Sequence, residues 1–144
     1  MFEHLKEIRI YEGLTQKEVA EILGVARSTY AGWESGKDII PLPKLVIFAN
    51  HFKVTLDYLV GNSPEIEYVN SLITIDEEVV ANNLKDFRDK FNITQTKLAK
   101  TIKCSQPSIV KYESGKHLIT TNYALEFSKQ YNYSLDKLMG RKKN

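Results

Sequence analysis

The sequence contains few of the features that mark a secreted or membrane-spanning protein. Its one cysteine, Cys104, cannot form an internal disulfide. Its longest apolar runs, such as residues 46–49, are far shorter than the ~20 residues that a membrane span needs. The first residues show no basic segment followed by an apolar stretch, so no secretory signal is visible. These absences predict a cytoplasmic protein with no membrane partner.

The sequence also lacks the residue groups that support catalysis or metal binding. His4, His51 and His117 do not have the spacing of metal ligands, and no cysteine pair lies near them. No glycine-rich phosphate loop, carboxylate pair or set of nucleophile and base is visible. We therefore expect a protein that is not an enzyme and that requires no cofactor.

Acidic residues are scarce in the second half of the chain. The 144 residues carry a net charge of +2, but residues 1–63 contribute −1, residues 64–78 contribute −5 and residues 79–144 contribute +8. A basic half of this kind attracts polyanions, and nucleic acid is the first candidate. A solvated, lysine-rich surface would have the same composition.

The chain contains an internal repeat. A shift of 79 residues aligns residues 5–61 with residues 84–140 without a gap, and 16 of the 57 aligned positions are identical. A unit of this size can fold alone. The repeat predicts a first domain over residues 1–62, a linker over residues 63–78, and a second domain over residues 79–144 that includes a basic tail at residues 141–143.

Each copy has the pattern of a string of short helices. Thr15 and Glu18 form a capping box at a helix start, and Gly24 is a suitable residue for the end of that helix. A third helix is predicted from about Arg27 to Gly36, and two more follow it. No segment alternates with a period of two. The predicted fold class is all-α, with two tandem five-helix domains.

Residues 14–37, LTQKEVAEILGVARSTYAGWESGK, resemble the lambda-repressor/Cro-type (XRE) helix-turn-helix family. Residues 54–61, VTLDYLVG, resemble the fifth helix of that family, and residues 82–140 repeat the layout. The resemblance implies a protein that binds double-stranded DNA and regulates transcription. Members usually act as dimers, so a homodimer is one expectation.

The third helix of the first copy is expected to enter the major groove by its N-terminal end. Arg27 is predicted to donate to guanine, with a phosphate contact as the alternative, and Ser28 can reach a base or a phosphate. Ala26 and Gly32 complete this surface, but Gly32 offers no side chain. The first copy is therefore predicted to contact few bases.

The third helix of the second copy has different residues at these positions, namely Ser105, Gln106, Pro107 and Lys111. Gln106 can pair with adenine through two hydrogen bonds. Pro107 can contact a thymine methyl group, and Lys111 can donate to a base edge or a phosphate. The two copies are thus not expected to bind the same DNA sequence.

The second helix begins with a glutamine in both copies, Gln16 and Gln95. The resemblance implies that each bonds a DNA phosphate, and the N-terminus of a helix favours an anion for independent reasons. A capping role without DNA contact is the alternative. The further predicted phosphate contacts are Thr29, Lys37, Ser108 and Lys116.

Several prominent residues are predicted to be structural. Tyr30 and Trp33 should face the core, as should their counterparts Ile109 and Tyr112. The resemblance implies a partly buried salt bridge between the first and third helices of each copy, formed by Arg9 with Glu34 and by Arg88 with Glu113.

The second copy departs from the pattern of the first where Lys103 replaces Gly24. A residue other than glycine with a positive φ costs roughly 1 kcal/mol. Either the turn is reshaped or this strain is tolerated.

The linker has two signals for helix starts. Ser63, Pro64 and Glu65 form one, and Thr74 with Glu77 forms a capping box for the next domain. The apolar residues between them predict a short linker helix that packs between the domains. A homodimer interface and an extended strand over residues 66–75 are the alternatives.

Two functions remain after this reasoning. The first is a sequence-specific transcriptional regulator, a repressor, that binds double-stranded DNA. The second is an antitoxin or anti-regulator whose main partner is another protein.

Overall fold

The chain folds into two compact helical units. The computed structural model describes residues 2–141, and the division between the units lies between Leu72 and Ile73. The described residues contain ten helices and one isolated β-bridge, which confirms the all-α fold of two five-helix domains. Lys142 and Lys143 of the predicted basic tail lie outside the described residues. None of the described helices is both long and apolar enough to cross a membrane.

The helices follow the same order in both units. In the first unit they are α1 (Glu3–Tyr11), α2 (Gln16–Leu23), α3 (Arg27–Ser35), α4 (Leu42–Phe52) and α5 (Leu56–Leu59). In the second unit they are α6 (Glu77–Lys90), α7 (Gln95–Ile102), α8 (Gln106–Glu113), α9 (Thr121–Tyr131) and α10 (Leu135–Leu138).

The caps of α2 are those that the sequence predicts. The Thr15 side chain accepts from the Glu18 backbone N–H at 3.1 Å, and Glu18 Oε1 accepts from the Thr15 N–H at 3.0 Å. Gly24 ends the helix with φ +69°. These caps satisfy backbone groups that the helix leaves without partners, and so they fix where the turn before α3 begins.

The core of each unit holds the inward residues of the third helix. Tyr30 is fully buried and Trp33 is 5% exposed. Ile109 and Tyr112 are buried at the equivalent positions of α8. The predicted structural role of these residues is confirmed, and their burial leaves the opposite side of α3 and α8 for other contacts.

The turn between α7 and α8 is not reshaped by Lys103. This residue has φ +67° and ψ 35°, while Gly24 in the first unit has φ +69° and ψ 35°. The second unit therefore keeps the geometry of the turn and tolerates the strain of a side chain in the left-handed region.

The predicted linker helix is wrong. No helix lies between α5 and α6, and the residues around Tyr68 are extended. Tyr68 forms a β-bridge with Val54, Glu67 O accepts from Thr55 N at 3.1 Å, and Lys53 O accepts from the N–H of Val69 at 2.9 Å. The chain leaving α4 offers backbone partners that the helical pattern did not anticipate. Of the alternative strand over residues 66–75, only this one bridge at Tyr68 forms.

The start of α6 also differs from its prediction. Its N-cap is Asp76, whose Oδ1 accepts from Glu78 N at 2.9 Å and from Val79 N at 3.4 Å. Thr74 lies two residues too early to reach these groups. An aspartate is as good an N-cap as a threonine, and the charge also favours the helix N-terminus.

Candidate nucleic-acid interface

A partly buried ion pair joins α1 to α3 in the first unit. Arg9 Nε lies 2.9 Å from Glu34 Oε2, and Arg9 Nη2 lies 2.7 Å from Glu34 Oε1. Arg9 Nη1 also donates to the carbonyl of Leu14 at 3.0 Å. The Glu34 side chain is only 4% exposed. The predicted salt bridge is confirmed, and it ties α3 to the first helix and to the loop before α2.

The surroundings of this pair keep both groups charged. Burial alone would raise the pKa of Glu34, but the hydrogen bonds from Arg9 and Gln16 and the positive charge of Arg9 lower it below its ordinary 4.5. The hydrogen bond to Glu34 outweighs burial in turn and raises the pKa of Arg9. A charged, doubly hydrogen-bonded pair holds its two helices in one geometry.

The second unit repeats this arrangement. Arg88 Nε lies 2.8 Å from Glu113 Oε2, Arg88 Nη2 lies 2.9 Å from Glu113 Oε1, and Nη1 donates to the carbonyl of Ile93 at 3.1 Å. The hydrogen bond to Glu113 raises the pKa of Arg88. The positions of α3 and α8 within their units are thus set by the same bidentate contact.

A glutamine extends each ion pair to the start of the third helix. Gln16 Nε2 donates to Glu34 Oε1 at 3.4 Å, and Gln16 Oε1 accepts from Arg27 Nη1 at 3.1 Å. Sequence reasoning missed this second contact, although both copies carry the same spacing of 11 residues between the two partners. The hydrogen bond to Gln16 therefore orients the guanidinium group of Arg27, which is the first residue of α3.

The equivalent contacts in the second unit involve two glutamines. Gln95 Nε2 donates to Glu113 Oε1 at 3.2 Å, and Gln95 Oε1 accepts from Gln106 Nε2 at 3.0 Å. Gln106 keeps its carbonyl oxygen and one N–H, which is the pair of groups that adenine requires. Arg27 likewise keeps enough N–H donors for the two acceptors of guanine.

The structure leaves most of the predicted DNA-contacting side chains accessible. Gln16, Gln95, Gln106 and Ser108 are half-buried, because they take part in the contacts described above or lie beside them. The exposed members are Ala26, Arg27, Ser28, Thr29, Lys37, Ser105, Pro107, Lys111 and Lys116.

Gly32 departs from its prediction, because it is buried instead of facing outwards. The chain turns back after α3, and Asp38 N donates to Gly32 O at 3.1 Å. A Cβ atom added to Gly32 would lie 2.8 Å from Asp38 Oδ2. Asp38 therefore places a carboxylate beside α3, and sequence reasoning did not predict it.

The same corner of the second unit carries the opposite charge. Lys111 is exposed at the position of Gly32, and the alignment places His117 at the position of Asp38. A carboxylate beside α3 repels a phosphate backbone, whereas an ammonium group beside α8 attracts it. The two units thus differ in charge at equivalent places on a shared framework.

The helix starts differ as well. Ser105 caps α8, since its Oγ accepts from Ser108 N at 3.2 Å and lies 2.8 Å from Ser108 Oγ. Ala26 occupies the cap position of α3 and has no side-chain group to offer. Ser105 therefore has a structural role in addition to its predicted DNA contact.

The described residues contain no group of three His, Cys, Asp or Glu side chains that could hold a metal ion. Within each unit, the N-terminal ends of the second and third helices instead offer amide donors, with guanidinium donors in the first unit and ammonium donors in the second. These groups suit anionic and base-edge acceptors.

Comparisons with known proteins identify a family for both units. The sequence profile of a family described as Helix-turn-helix matches residues 5–59 and again residues 84–138. The chain is 34% identical over 91 residues to an uncharacterized HTH-type transcriptional regulator, YobD, of Bacillus subtilis (strain 168), which covers 63% of this chain and 73% of YobD.

Two other relatives match over shorter stretches. The HTH-type transcriptional activator BcrR of Enterococcus faecalis is 35% identical over 83 residues, which are 58% of this chain and 37% of BcrR. The HTH-type transcriptional regulator AnsR of Bacillus subtilis (strain 168) is 36% identical over 63 residues, 44% of this chain and 54% of AnsR. The chain thus spans about half or less of these two proteins. No solved structure matches it.

Proposed function

The chain belongs to the helix-turn-helix family, and from that premise we propose that it regulates transcription by binding specific sequences of double-stranded DNA. In this proposal α3 and α8 enter the major groove by their N-terminal ends. The observation that carries it is the repeated chain of contacts from a partly buried ion pair, through Gln16 or Gln95, to the first residue of the third helix. A side chain held in this way can meet a base edge at low entropic cost.

Arg27 and Gln106 are the proposed base-contacting residues. Arg27 retains donors for a guanine, and Gln106 retains a donor and an acceptor for an adenine. Ser28 and Pro107 lie beside them, and Pro107 offers apolar surface for a thymine methyl group. Because the side chains at equivalent positions of the two units differ, we expect a DNA site with two unlike half-sites and not a palindrome.

The proposed phosphate contacts surround these residues. Gln16 and Gln95 each keep one amide N–H that no contact within the unit uses. Thr29, Ser108, Lys37, Lys111 and Lys116 complete the set. Contacts of this kind fix the position of the protein and supply affinity that does not depend on sequence.

We propose repression as the outcome of binding, because a bound chain occupies promoter DNA. BcrR is named an activator, so a promoter-reporter assay with and without the chain is needed to determine the sign. A fall in reporter output is the expected result, and a rise would reverse this part of the proposal.

Selection from a random duplex library tests DNA recognition, with the mass of the chain in solution measured alongside. We expect an enriched motif with two unlike half-sites. An enriched palindrome would show that one unit binds specifically while the chain dimerises. Salt-sensitive binding without enrichment would contradict sequence-specific recognition and favour a protein partner.

Two substitutions separate base contacts from phosphate contacts in this assay. Arg27→Ala should relax selection at one base position at a cost of about 1–3 kcal/mol, whereas Gln16→Ala should weaken binding to all sequences alike. Lys129→Ala, at an exposed position of α9, is the matched control and should change neither property. Equal behaviour of the first two variants would contradict the assigned roles.

A further inference from the structure

An aromatic cleft lies along α6 and the end of α9 in the second unit. It has a volume of about 380 Å³, and Phe87, Phe91, Tyr131 and Tyr133 form its apolar wall. The ring of Phe87 lies 4.8 to 5.5 Å from the other three, centroid to centroid. Phe91 is 55% exposed. No residue of α7 or α8 lines the cleft, so the proposed DNA-binding surface does not account for it.

Two ammonium groups lie at the rim of this cleft. Lys90 Nζ is 5.4 Å from the centre of the Phe91 ring, and Lys137 Nζ is 4.9 Å from the centre of the Tyr133 ring. One carboxylate, that of Asp86, also lines the cleft. An apolar wall beside two cations suits a ligand that carries an aromatic group next to negative charge.

In the first unit, the first and fifth helices are joined by a contact equivalent to one beside the cleft. His4 Nδ1 is hydrogen-bonded to the carbonyl of Tyr58, and in the second unit Asn83 Nδ2 donates to the carbonyl of Lys137 at 3.1 Å. These contacts join the first and fifth helices of each unit at positions that are 79 residues apart. The alignment of the two copies therefore holds at the level of single contacts around the cleft.

The linker passes over the equivalent place in the first unit. Tyr68 forms its β-bridge with Val54, and the N–H of Val69 donates to the carbonyl of Lys53 at 2.9 Å. The Tyr68 side chain itself is 55% exposed. Lys53 and Val54 have counterparts that line the cleft in the second unit, which are Asn132 and Tyr133.

We propose that the cleft of the second unit binds an extended, acidic segment of a partner protein and receives an aromatic side chain from it. The linker is the template, because Tyr68 follows Glu65 and Glu67 on an extended backbone. The two units differ in the charge of the rim, where Lys90 and Lys137 occupy the positions of Tyr11 and Tyr58 in the first unit. This difference makes the second site the better match for an acidic segment.

The linker of a second copy is a poorer occupant than a separate partner. Its backbone is already paired with its own first unit through Thr55 N and Lys53 O. Transfer to a second copy would break those hydrogen bonds and expose Val54, which is fully buried.

A synthetic peptide with the sequence of residues 63–72, SPEIEYVNSL, is the probe. The full chain, isotope-labelled, is titrated with it and the backbone amide signals are followed. We expect shifts at residues 83–91 and 131–137. Replacing the tyrosine of the peptide with alanine should weaken binding about tenfold, because the aromatic side chain anchors the segment.

A substitution in the protein, which reverses a charge at the rim of the cleft, tests the same site. Lys137→Glu should weaken peptide binding about tenfold, whereas Lys129→Glu, an equal change of charge outside the cleft, should not. The amide spectra of both variants check that the second unit remains folded.

Three outcomes would overturn the proposal. One is the absence of shifts at millimolar peptide, and another is an affinity that is equal for Lys137→Glu and Lys129→Glu. The third is movement of the cleft signals with the concentration of the chain alone, which would assign the cleft to a second copy.

Discussion

The two units share the contacts that hold their third helix and differ in the charged residues beside it. Both hold the third helix with a bidentate arginine–glutamate pair, and both pass that constraint through a glutamine to the first residue of the helix. Beside α3 the first unit has Asp38 against a buried glycine, whereas the second has the exposed Lys111. The shared contacts determine where the helix lies within its unit, and the differing residues determine the charge beside it.

The largest expected effect comes from breaking the ion pair in one unit at a time. Arg9→Ala would leave the buried Glu34 carboxylate without its partner, which should lower the free energy of unfolding by about 3–5 kcal/mol. Trp33 is the one tryptophan of the chain and lies in the first unit, so its fluorescence during urea unfolding measures this loss. Arg27→Ala, at an exposed position of α3, is the control and should have little effect on stability.

The equivalent change in the second unit sharpens this comparison. Arg88→Ala should reduce the stability that circular dichroism measures but leave the Trp33 transition in place. A matching shift of the Trp33 transition would show that the units unfold together, and stability could then no longer be assigned to each unit.

Acid should weaken the first unit through the same pair. The pKa of Glu34 is lower in the folded unit than its ordinary 4.5, so its contribution is complete above that pH. It is lost as the pH falls through the lower, folded pKa. The urea midpoint of the Trp33 transition should therefore drop below pH 4.5, and Glu34→Gln should flatten this dependence. An unchanged profile in that variant would assign the acid sensitivity to other carboxylates.

Replacing two residues of the first unit with their counterparts from the second would remove the difference in charge beside the third helix. Gly32→Lys with Asp38→His should strengthen binding to random duplex by about tenfold at low salt and steepen its salt dependence by about one unit per new phosphate contact. The second unit carries this pair, Lys111 and His117, at the same positions of the repeat. The reverse pair, Lys111→Gly with His117→Asp, should weaken binding.

Fluorescence anisotropy over a series of salt concentrations measures both effects. Lys129→Glu supplies a change of charge away from the proposed surface. Equal effects of this control and the reverse pair would show that Lys111 does not face the phosphates.

The smallest expected effect concerns the turn before the third helix. Lys103→Gly should stabilise the second unit by up to about 1 kcal/mol, since glycine adopts φ +67° without strain. The ion pair between Lys103 and Glu126 is 3.7 Å long and exposed, so its loss costs little. Lys100→Gly, inside α7, should have the opposite sign. Thermal unfolding followed by circular dichroism compares them, and equal signs would contradict the strain argument.

The parts of the fold that sequence reasoning predicted correctly depend on short stretches of chain. The capping box of Thr15 and Glu18, the glycine at the end of α2 and the inward side chains of α3 each depend on residues within one or two helical turns. The arginine–glutamate pairs span 25 residues, and the family resemblance predicted them.

The features that sequence reasoning missed depend on neighbours that the local pattern does not show. A helix signal at Ser63 was overruled because residues 53–55 offered backbone partners to the linker. Gly32 became buried because Asp38 returns to the same helix. The contact between Gln16 and Arg27 required two helix starts to meet in space.

The sequence by itself determined two tandem helical domains, the start and end of α2, and the residues at the start of each third helix. Periodicity and caps depend on nearby residues, so they are visible without a structure. Only the tertiary structure decided that the linker pairs with the first unit, that the Asp38 carboxylate lies beside α3, and that the equivalent place in the second unit is an aromatic cleft. These features depend on contacts between residues far apart in the chain, and the energies of such contacts override local preference.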